Sequence, residues 1–175
     1  MLRKPHISIM GTSKNPGLVF RSSFMIAALV FCGGGILSAQ NTASENTVKP
    51  AIADADLVIP IAEVGEAAVF YPVDIEGTRL EVIAVRAPDG TVRTAFNTCQ
   101  ICYGSGRGYY KQQGNLLVCQ NCGNRFRMSQ VEVRSGGCNP VPIFPANKTV
   151  DDKNIIIKKE FLIRAKGIFA NWKRG

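Results

Sequence analysis

The sequence predicts a mainly β domain that carries two Cys-x-x-Cys knuckles and ends in a short helix. Three observations support this fold class. Short apolar runs rich in Val, Ile and Phe alternate with Pro and Gly turns along the middle of the chain. The pairs Cys99/Cys102 and Cys119/Cys122 form two knuckles with sixteen residues between them. Near the C-terminus, one segment has the apolar spacing of an amphipathic helix.

Residues 1–39 have the pattern of a signal peptide or a membrane anchor. Basic residues precede the apolar segment FMIAALVFCGGGILSA, and no acidic residue occurs before Glu45. Cleavage after Ala39 would release a signal peptide, and the uncharged run 22–39 is also long enough for an uncleaved anchor in the inner membrane. Because positive charge stays on the cytoplasmic side, we expect the rest of the chain on the extracytoplasmic, periplasmic side.

The remainder divides into a linker and one domain. Residues 40–56 are small and polar without periodicity, which predicts a flexible linker. Residues 57–175 are predicted to form the domain that carries the four paired cysteines. Its first segment, LVIPIAEVGEAAVFYPVDI, predicts short strands interrupted by Pro60 and Pro72.

Two turn signals predict hairpins that lead into the knuckles. RLEVIAVR and TVRTAF flank Pro88-Asp89-Gly90, where Pro fixes φ and Gly accepts a positive φ. This hairpin ends just before Cys99. Gly114-Asn115 predicts a second hairpin tip between the knuckles, directly before LLVC.

The segments after the second knuckle predict two further strands and the helix. NRFRMSQVEV alternates like a strand, SGGCNPVPIFP is rich in turn residues, and NIIIK predicts another strand. The helical segment FLIRAKGIFANW places its apolar residues roughly on one face, and these are Phe161, Leu162, Ala165, Ile168, Phe169 and Trp172.

The spacing of Cys99, Cys102, Cys119 and Cys122 predicts a metal site with four thiolate ligands. Each Cys-x-x-Cys turn points two sulfurs at one spot, and a second turn facing it completes a tetrahedral set. Two disulfides are the alternative, which an oxidising compartment would favour. Both Zn²⁺ and an iron–sulfur cluster suit four thiolates.

Histidine is absent from the predicted domain, since the single His is His6. This excludes His-based catalysis, a His-containing zinc hydrolase site and covalent haem attachment. We therefore expect no catalytic residue, and an electron carrier or accessory protein rather than a stand-alone enzyme.

Basic residues dominate the neighbourhood of the knuckles, where residues 93–134 contain a single acidic residue, Glu132. We expect part of this charge to surround an exposed edge of the centre and to steer partner docking. The predicted docking residues are Arg107, Lys111, Arg125 and Arg127. A solvated basic face is the alternative, and export argues against nucleic acid as a partner.

Cys138, in SGGCNPVP, is a further thiol outside the two pairs. Burial as a small apolar residue is the first interpretation. A supplementary metal ligand and a reactive thiol are the other two.

Together, RAPDGTVRTAFNTCQIC, GYYKQQGNLLVCQNCGNRF and GGCNPVPI resemble the FtrD-like family of membrane iron–sulfur proteins, over about residues 57–172. The resemblance implies that the cysteines bind an iron–sulfur centre. It also implies a role in high-affinity iron uptake with a partner permease. The matching positions are Cys99, Cys102, Cys119 and Cys122, with Cys138 in the family's Gly-Gly-Cys element.

The same region also resembles a Rieske domain in outline, which implies a Rieske-like or zinc-ribbon-like antiparallel β domain. Rieske ligand pairs each contain a His that this region lacks. An all-thiolate cluster is therefore expected near about −400 mV. The leader has Ser22 after Arg21 where a twin-arginine signal has a second Arg, which favours zinc loaded after export.

Two functions follow from these observations. The first is an electron-transfer or metal-handling component of an extracytoplasmic iron-uptake system, with a membrane permease or redox partner. The second is a structural zinc-ribbon binding module without redox activity.

Overall fold

The computed structural model describes residues 46–174, so the predicted leader lies outside the described residues. Strands dominate this part of the chain and a single short α-helix lies near its end, which confirms the predicted mainly β class. No helix within residues 46–174 is long and apolar enough to span a membrane. In chain order, the elements are β1 (Thr47–Val48), β2 (Ile52–Ala53), β3 (Leu57–Pro60), β4 (Val69–Ile75), β5 (Thr78–Arg86), β6 (Val92–Cys99), β7 (Tyr110–Gln113), β8 (Leu116–Cys119), β9 (Arg125–Arg127), β10 (Pro140–Pro142), β11 (Thr149–Val150), β12 (Asn154–Ile157) and α1 (Lys159–Ala165).

Three sheets organise these strands. The central sheet has the order β1-β4-β5-β6-β10, with β2 also paired to β4. The small sheet is β7-β8-β9, and the third sheet is β11-β12-β3. The strands β1 and β2 lie inside the predicted linker, and both run parallel to β4. Strand β4 continues through Pro72, which opposes Glu81 of β5.

Both faces of the central sheet are buried, because its strands alternate apolar residues toward two separate cores. Tyr71 and Val82 point into the first core, which also contains residues of the third sheet and α1. Phe70 and Ile83 point into the second core. Three of the paired cysteines belong to this second core, between the central sheet and the small sheet.

The C-terminal segment packs on the first core, close to the end of β6. Helix α1 is short and continues as a 3-10 helix over Lys166–Phe169, so the predicted amphipathic segment is helical in two parts. The Phe161 ring stacks on Phe96 at 5.7 Å. The indole N–H of Trp172 donates a 2.7 Å hydrogen bond to the carbonyl of Asn97. These contacts brace β6 two residues before Cys99.

Candidate metal centre

Strand ends and turns bring five thiols to one end of the second core. Cys99 is the last residue of β6 and Cys119 is the last residue of β8. Cys102 and Cys122 follow three residues later, on the turns that begin there. Cys138 lies in the loop before β10, whose Pro140 opposes Cys99 across the sheet. All five are free thiols.

The thiols form two overlapping groups that share Cys102. The inner group contains Cys99, Cys102 and Cys119, whose Sγ atoms lie within 4.8 Å of one another and whose side chains are buried. The outer group contains Cys102, Cys122 and Cys138, whose Sγ atoms also lie within 4.8 Å of one another, with Cys122 exposed and Cys138 half-buried. Thiolates bound tetrahedrally to one ion through bonds of about 2.3 Å lie about 3.8 Å apart. The sulfurs of each group, all within 4.8 Å of one another, therefore lie near the spacing of a metal site before any metal draws them together.

Close backbone contacts shape the first knuckle. The N–H of Cys102 points at the Cys99 sulfur at 3.4 Å, and the N–H of Cys99 donates to the carbonyl of Gly108 at 2.6 Å. Gly108 has no room for a side chain. A Cβ there would lie 2.8 Å from the amide nitrogen of Tyr103 and closer still to the carbonyl group of Cys102. The loop between the knuckles therefore folds directly onto the first one.

The second knuckle turns sharply after Cys119. The N–H of Gly123 donates to the carbonyl of Cys119, and the N–H of Cys119 donates to the carbonyl of Asn124, both at 2.9 Å. Gly123 has a φ of 72°, a left-handed conformation that favours glycine. This turn leaves Cys122 on the surface while Cys119 stays buried.

The Gly-Gly-Cys loop, residues 136–138, is attached to both knuckles. The side-chain amide of Asn124 donates to the carbonyl of Cys138 at 2.7 Å. On the first knuckle, the Gln100 side chain accepts from the N–H of Gly136 at 3.0 Å and donates to the carbonyl of Pro140 at 3.3 Å. These hydrogen bonds therefore hold the Gly-Gly-Cys loop against both knuckles.

The five thiols differ in how readily they ionise. Burial acts to raise the pKa of Cys99, but the neighbouring Tyr110 hydroxyl and nearby backbone N–H groups lower it overall. A backbone N–H also lowers the pKa of Cys122. Burial raises the pKa of Cys119 to about 12, and a hydrogen bond with Cys122, together with burial, raises that of Cys138 to about 12. Because close thiolates oppose each other's ionisation, a bound cation would allow several to be ionised at once.

Asn97 and Tyr110 support the site, and the sequence reasoning did not identify either of them. The Asn97 side chain accepts from the N–H of Tyr110 at 2.7 Å and donates to the buried Glu81 carboxylate at 2.6 Å. These contacts join β6 to β7. Counting residues back from the Gly114-Asn115 turn places Tyr110 opposite Cys119. The register of this hairpin was therefore the sequence signal that would have identified Tyr110.

The four predicted docking residues are exposed, at two places near the knuckles. Arg107 lies in the loop after the first knuckle. Lys111, Arg125 and Arg127 lie on the outer face of the small sheet, where Lys111 and Arg125 both oppose Val118. None of the four pairs with a carboxylate of residues 46–174. Their role in docking stays a prediction.

Apolar residues are also exposed on the first knuckle. Ile101, between the two cysteines of the pair, is 65% exposed, and Tyr103 is 43% exposed. Interface centres are commonly apolar and surrounded by polar residues. The knuckle therefore combines two features of a docking surface, an apolar tip and the nearby charge of Arg107.

The fold and the site together define the class of protein. It is a mainly β domain whose clustered free thiols are suitable metal ligands. The family described as "Membrane iron-sulfur containing protein FtrD-like" matches residues 64–169, and the chain belongs to this family. This confirms the resemblance drawn from the sequence. No curated protein matches the chain.

Among solved structures, the chain is similar to the quaternary ammonium Rieske monooxygenase CntA in complex with an inhibitor. The identity is 14% and the TM-score is 0.38. The match covers 61% of this chain and 31% of that chain, so this chain corresponds to less than a third of the enzyme. A likeness at this level indicates nothing about activity.

Proposed function

We propose that the thiol cluster holds an iron–sulfur centre and that the protein is an electron-transfer or metal-handling component of an extracytoplasmic iron-uptake system. The observation that carries this proposal is the clustering of free thiols in a member of an iron–sulfur family. The ligands are Cys99, Cys102, Cys119 and Cys122. The donor set fits, because four thiolates are the usual ligands of such clusters.

When bound, an iron–sulfur centre supplies reversible exchange of single electrons. The surrounding residues divide into an inner and an outer side. Cys99 and Cys119, on strand ends, exclude water from the inner side by their burial. Cys122 leaves the outer side close to solvent. Since electron transfer favours short distances to a docked partner, this exposed side is the one through which electrons would pass.

Brief docking suits this surface better than a permanent complex. Transient redox encounters use small interfaces steered by complementary charge. The exposed Ile101 and Tyr103 offer a small apolar contact, and the four exposed basic residues supply the charge. The proposed partner is therefore acidic at its docking site, in keeping with a membrane permease or redox protein of an iron-uptake system.

The proposed location rests on the leader. Residues 1–39 carry the basic and apolar segments of an export signal or anchor. Protease digestion of cells with a sealed inner membrane tests the orientation. With the outer membrane opened and the inner membrane sealed, residues 57–175 should be digested, whereas their survival would contradict the extracytoplasmic assignment.

A structural zinc module is the second candidate, and Ser22 favours it. An assembled cluster is exported in a folded protein, and the leader lacks the second Arg of a twin-arginine signal. Zinc bound after export needs no such route.

Metal and sulfide analysis of the protein purified from its native compartment separates the two candidates. The proposal expects iron and acid-labile sulfide in equal amounts and a brown protein that bleaches on reduction. Zinc without sulfide, in a colourless protein, would overturn it. The Cys119→Ser variant is the control, because it removes a buried ligand and should carry neither metal.

A further inference from the structure

We propose that Cys138 is an alternate ligand that replaces Cys122 on the exposed side of the centre. This inference rests on the proposed function only in requiring that the thiols bind metal. It adds a second bound form of the site, in which one terminal thiolate has been exchanged for another.

The position of Cys138 carries the argument. Its sulfur lies within 4.8 Å of the sulfurs of Cys102 and Cys122, a limit that the three sulfurs of the inner group also meet. Since Cys102 belongs to both groups, a metal bound to Cys102 from the outer side has both Cys122 and Cys138 within reach. A lone thiol that merely fills space in the core would be buried, whereas Cys138 is half-buried.

The loop that carries Cys138 is held at the site by three side chains. The Tyr110 hydroxyl and the Asn124 amide both donate to the Cys138 carbonyl, at 2.8 and 2.7 Å. Gln100, from the first knuckle, holds the loop from the other side. Gly136 and Gly137 have φ values of 85° and 67°, which let the loop turn back so tightly. These contacts therefore fix the position of the Cys138 thiol at the site.

Four-coordinate thiolate sites take four ligands, and the cluster offers five. The inner ligands Cys99 and Cys119 end strands and are fully packed, so they cannot leave without disturbing a sheet. Cys122 is the exposed member and sits on a turn. It is therefore the ligand that a fifth thiol can displace at least cost.

The exchange is balanced and involves no oxidation or reduction. The metal–sulfur bond to Cys122 breaks as the bond to Cys138 forms. The Cys138 thiol gives up its proton on binding, and the departing Cys122 sulfur takes up one proton. Total charge and ligand count are unchanged.

Alanine variants of the full-length protein test the exchange, because alanine cannot ligate. The measurements are bound metal and sulfide per chain, with the absorption spectrum. We expect Cys138→Ala to keep its full metal content and Cys122→Ala to keep at least about half, with a shifted spectrum. The double variant should fall below about a tenth, as should the control Cys119→Ala. Loss in Cys122→Ala equal to that in Cys119→Ala would overturn the proposal, as would retention by the double variant.

A second measurement on the unaltered, metal-loaded protein does not depend on any variant folding. Brief alkylation followed by peptide mapping locates the unbound thiol. Labelling divided between Cys122 and Cys138, with the inner group protected, is the expected result. Labelling of Cys138 alone would overturn the exchange. A wild-type protein that holds zinc without sulfide would refute the iron–sulfur proposal, yet the variants could then be compared by their zinc content and the alkylation by the same peptide map.

Discussion

The Tyr110 hydroxyl donates a 2.8 Å hydrogen bond to the carbonyl oxygen of Cys138 and also lies beside the Cys99 sulfur, whose pKa it lowers. One buried side chain thus contacts both the first cysteine of the first knuckle and the loop that carries the fifth thiol. Since Tyr110 opposes Cys119 across the β7-β8 hairpin, it touches or faces three of the five clustered cysteines.

The Tyr110→Phe variant should lower the reduction potential of the iron-loaded protein. The Tyr110 hydroxyl favours negative charge on the Cys99 sulfur, so it should stabilise the more negative, reduced form of a cluster and its loss should favour oxidation. We also expect a loss of about 1 kcal/mol in unfolding free energy from the lost bond to the loop. A redox titration and denaturant unfolding measure the two effects. Tyr103→Phe, an exposed tyrosine directly after the first knuckle, is the control and should change neither.

Cys99→Ser and Cys119→Ser should each lose the metal and most of the stability of the domain. Both thiols are buried at strand ends, and metal binding in such sites contributes directly to folding free energy. Metal content and thermal unfolding are the measurements. Full metal content with an unchanged melting temperature in both variants would contradict the assignment of these ligands.

Gly108→Ala should disrupt the first knuckle, because its Cβ would overlap the backbone of Cys102 and Tyr103. A clash with backbone cannot be relieved by a rotamer change. We expect a loss of about 1–3 kcal/mol in unfolding free energy and reduced metal loading. Gly104→Ala is a matched control in the same loop, since a Cβ there meets nothing within 4 Å. Equal behaviour of the two variants would refute the packing argument.

Reversing Arg107 and Lys111 to Glu should slow electron exchange with an acidic partner while metal content stays unchanged. The effect should be largest at low ionic strength, because salt screens exposed charges. Stopped-flow reduction across a salt series is the measurement. Lys153→Glu, in the turn between β11 and β12, is the control. An electron-exchange rate that is unchanged by the charge reversal and by the salt concentration would show that these residues form only a solvated face.

Glu132→Gln should destabilise the fold by about 3 kcal/mol, because it leaves Lys148 charged and buried without its partner. The two side chains are 11% and 3% exposed, and Glu132 also accepts from the N–H of Thr94 at 2.9 Å. Denaturant unfolding measures the loss. The exposed Asp56–Lys158 pair supplies the control, since solvent screens its charges and Asp56→Asn should change the unfolding free energy far less.

The parts of the fold that local turn chemistry determines were predictable. Pro88-Asp89-Gly90 joins β5 to β6 as expected, with Gly90 at a φ of 83°, and Gly114-Asn115 joins β7 to β8. The alternation after the second knuckle was misleading. Only Arg125–Arg127 is a strand, and Met128–Gln130 turns into a 3-10 helix before Glu132 adopts a φ of 65°. Tertiary contacts, including the ion pair with Lys148, decide that conformation.

The candidate site was predictable in its composition but not in its grouping. The spacing of the cysteines in the sequence was enough to identify the two Cys pairs, because a Cys-x-x-Cys turn is a local structure. The contribution of Cys138 depends on the pairing of β10 with β6, which joins residues about forty positions apart. The first interpretation of Cys138 was burial, and this is only partly confirmed because the side chain is half-buried. Long-range pairing of this kind has no local sequence signal.

The contact between Trp172 and β6 gives the protein an intrinsic optical reporter. The sequence contains one tryptophan, and its indole is hydrogen-bonded two residues before Cys99. A chromophore at the thiols that absorbs near-ultraviolet and visible light would quench its fluorescence by energy transfer, whereas a colourless zinc ion would leave the emission bright. The emission intensity of a dilute sample would therefore follow cluster loading and loss in real time, without any added label.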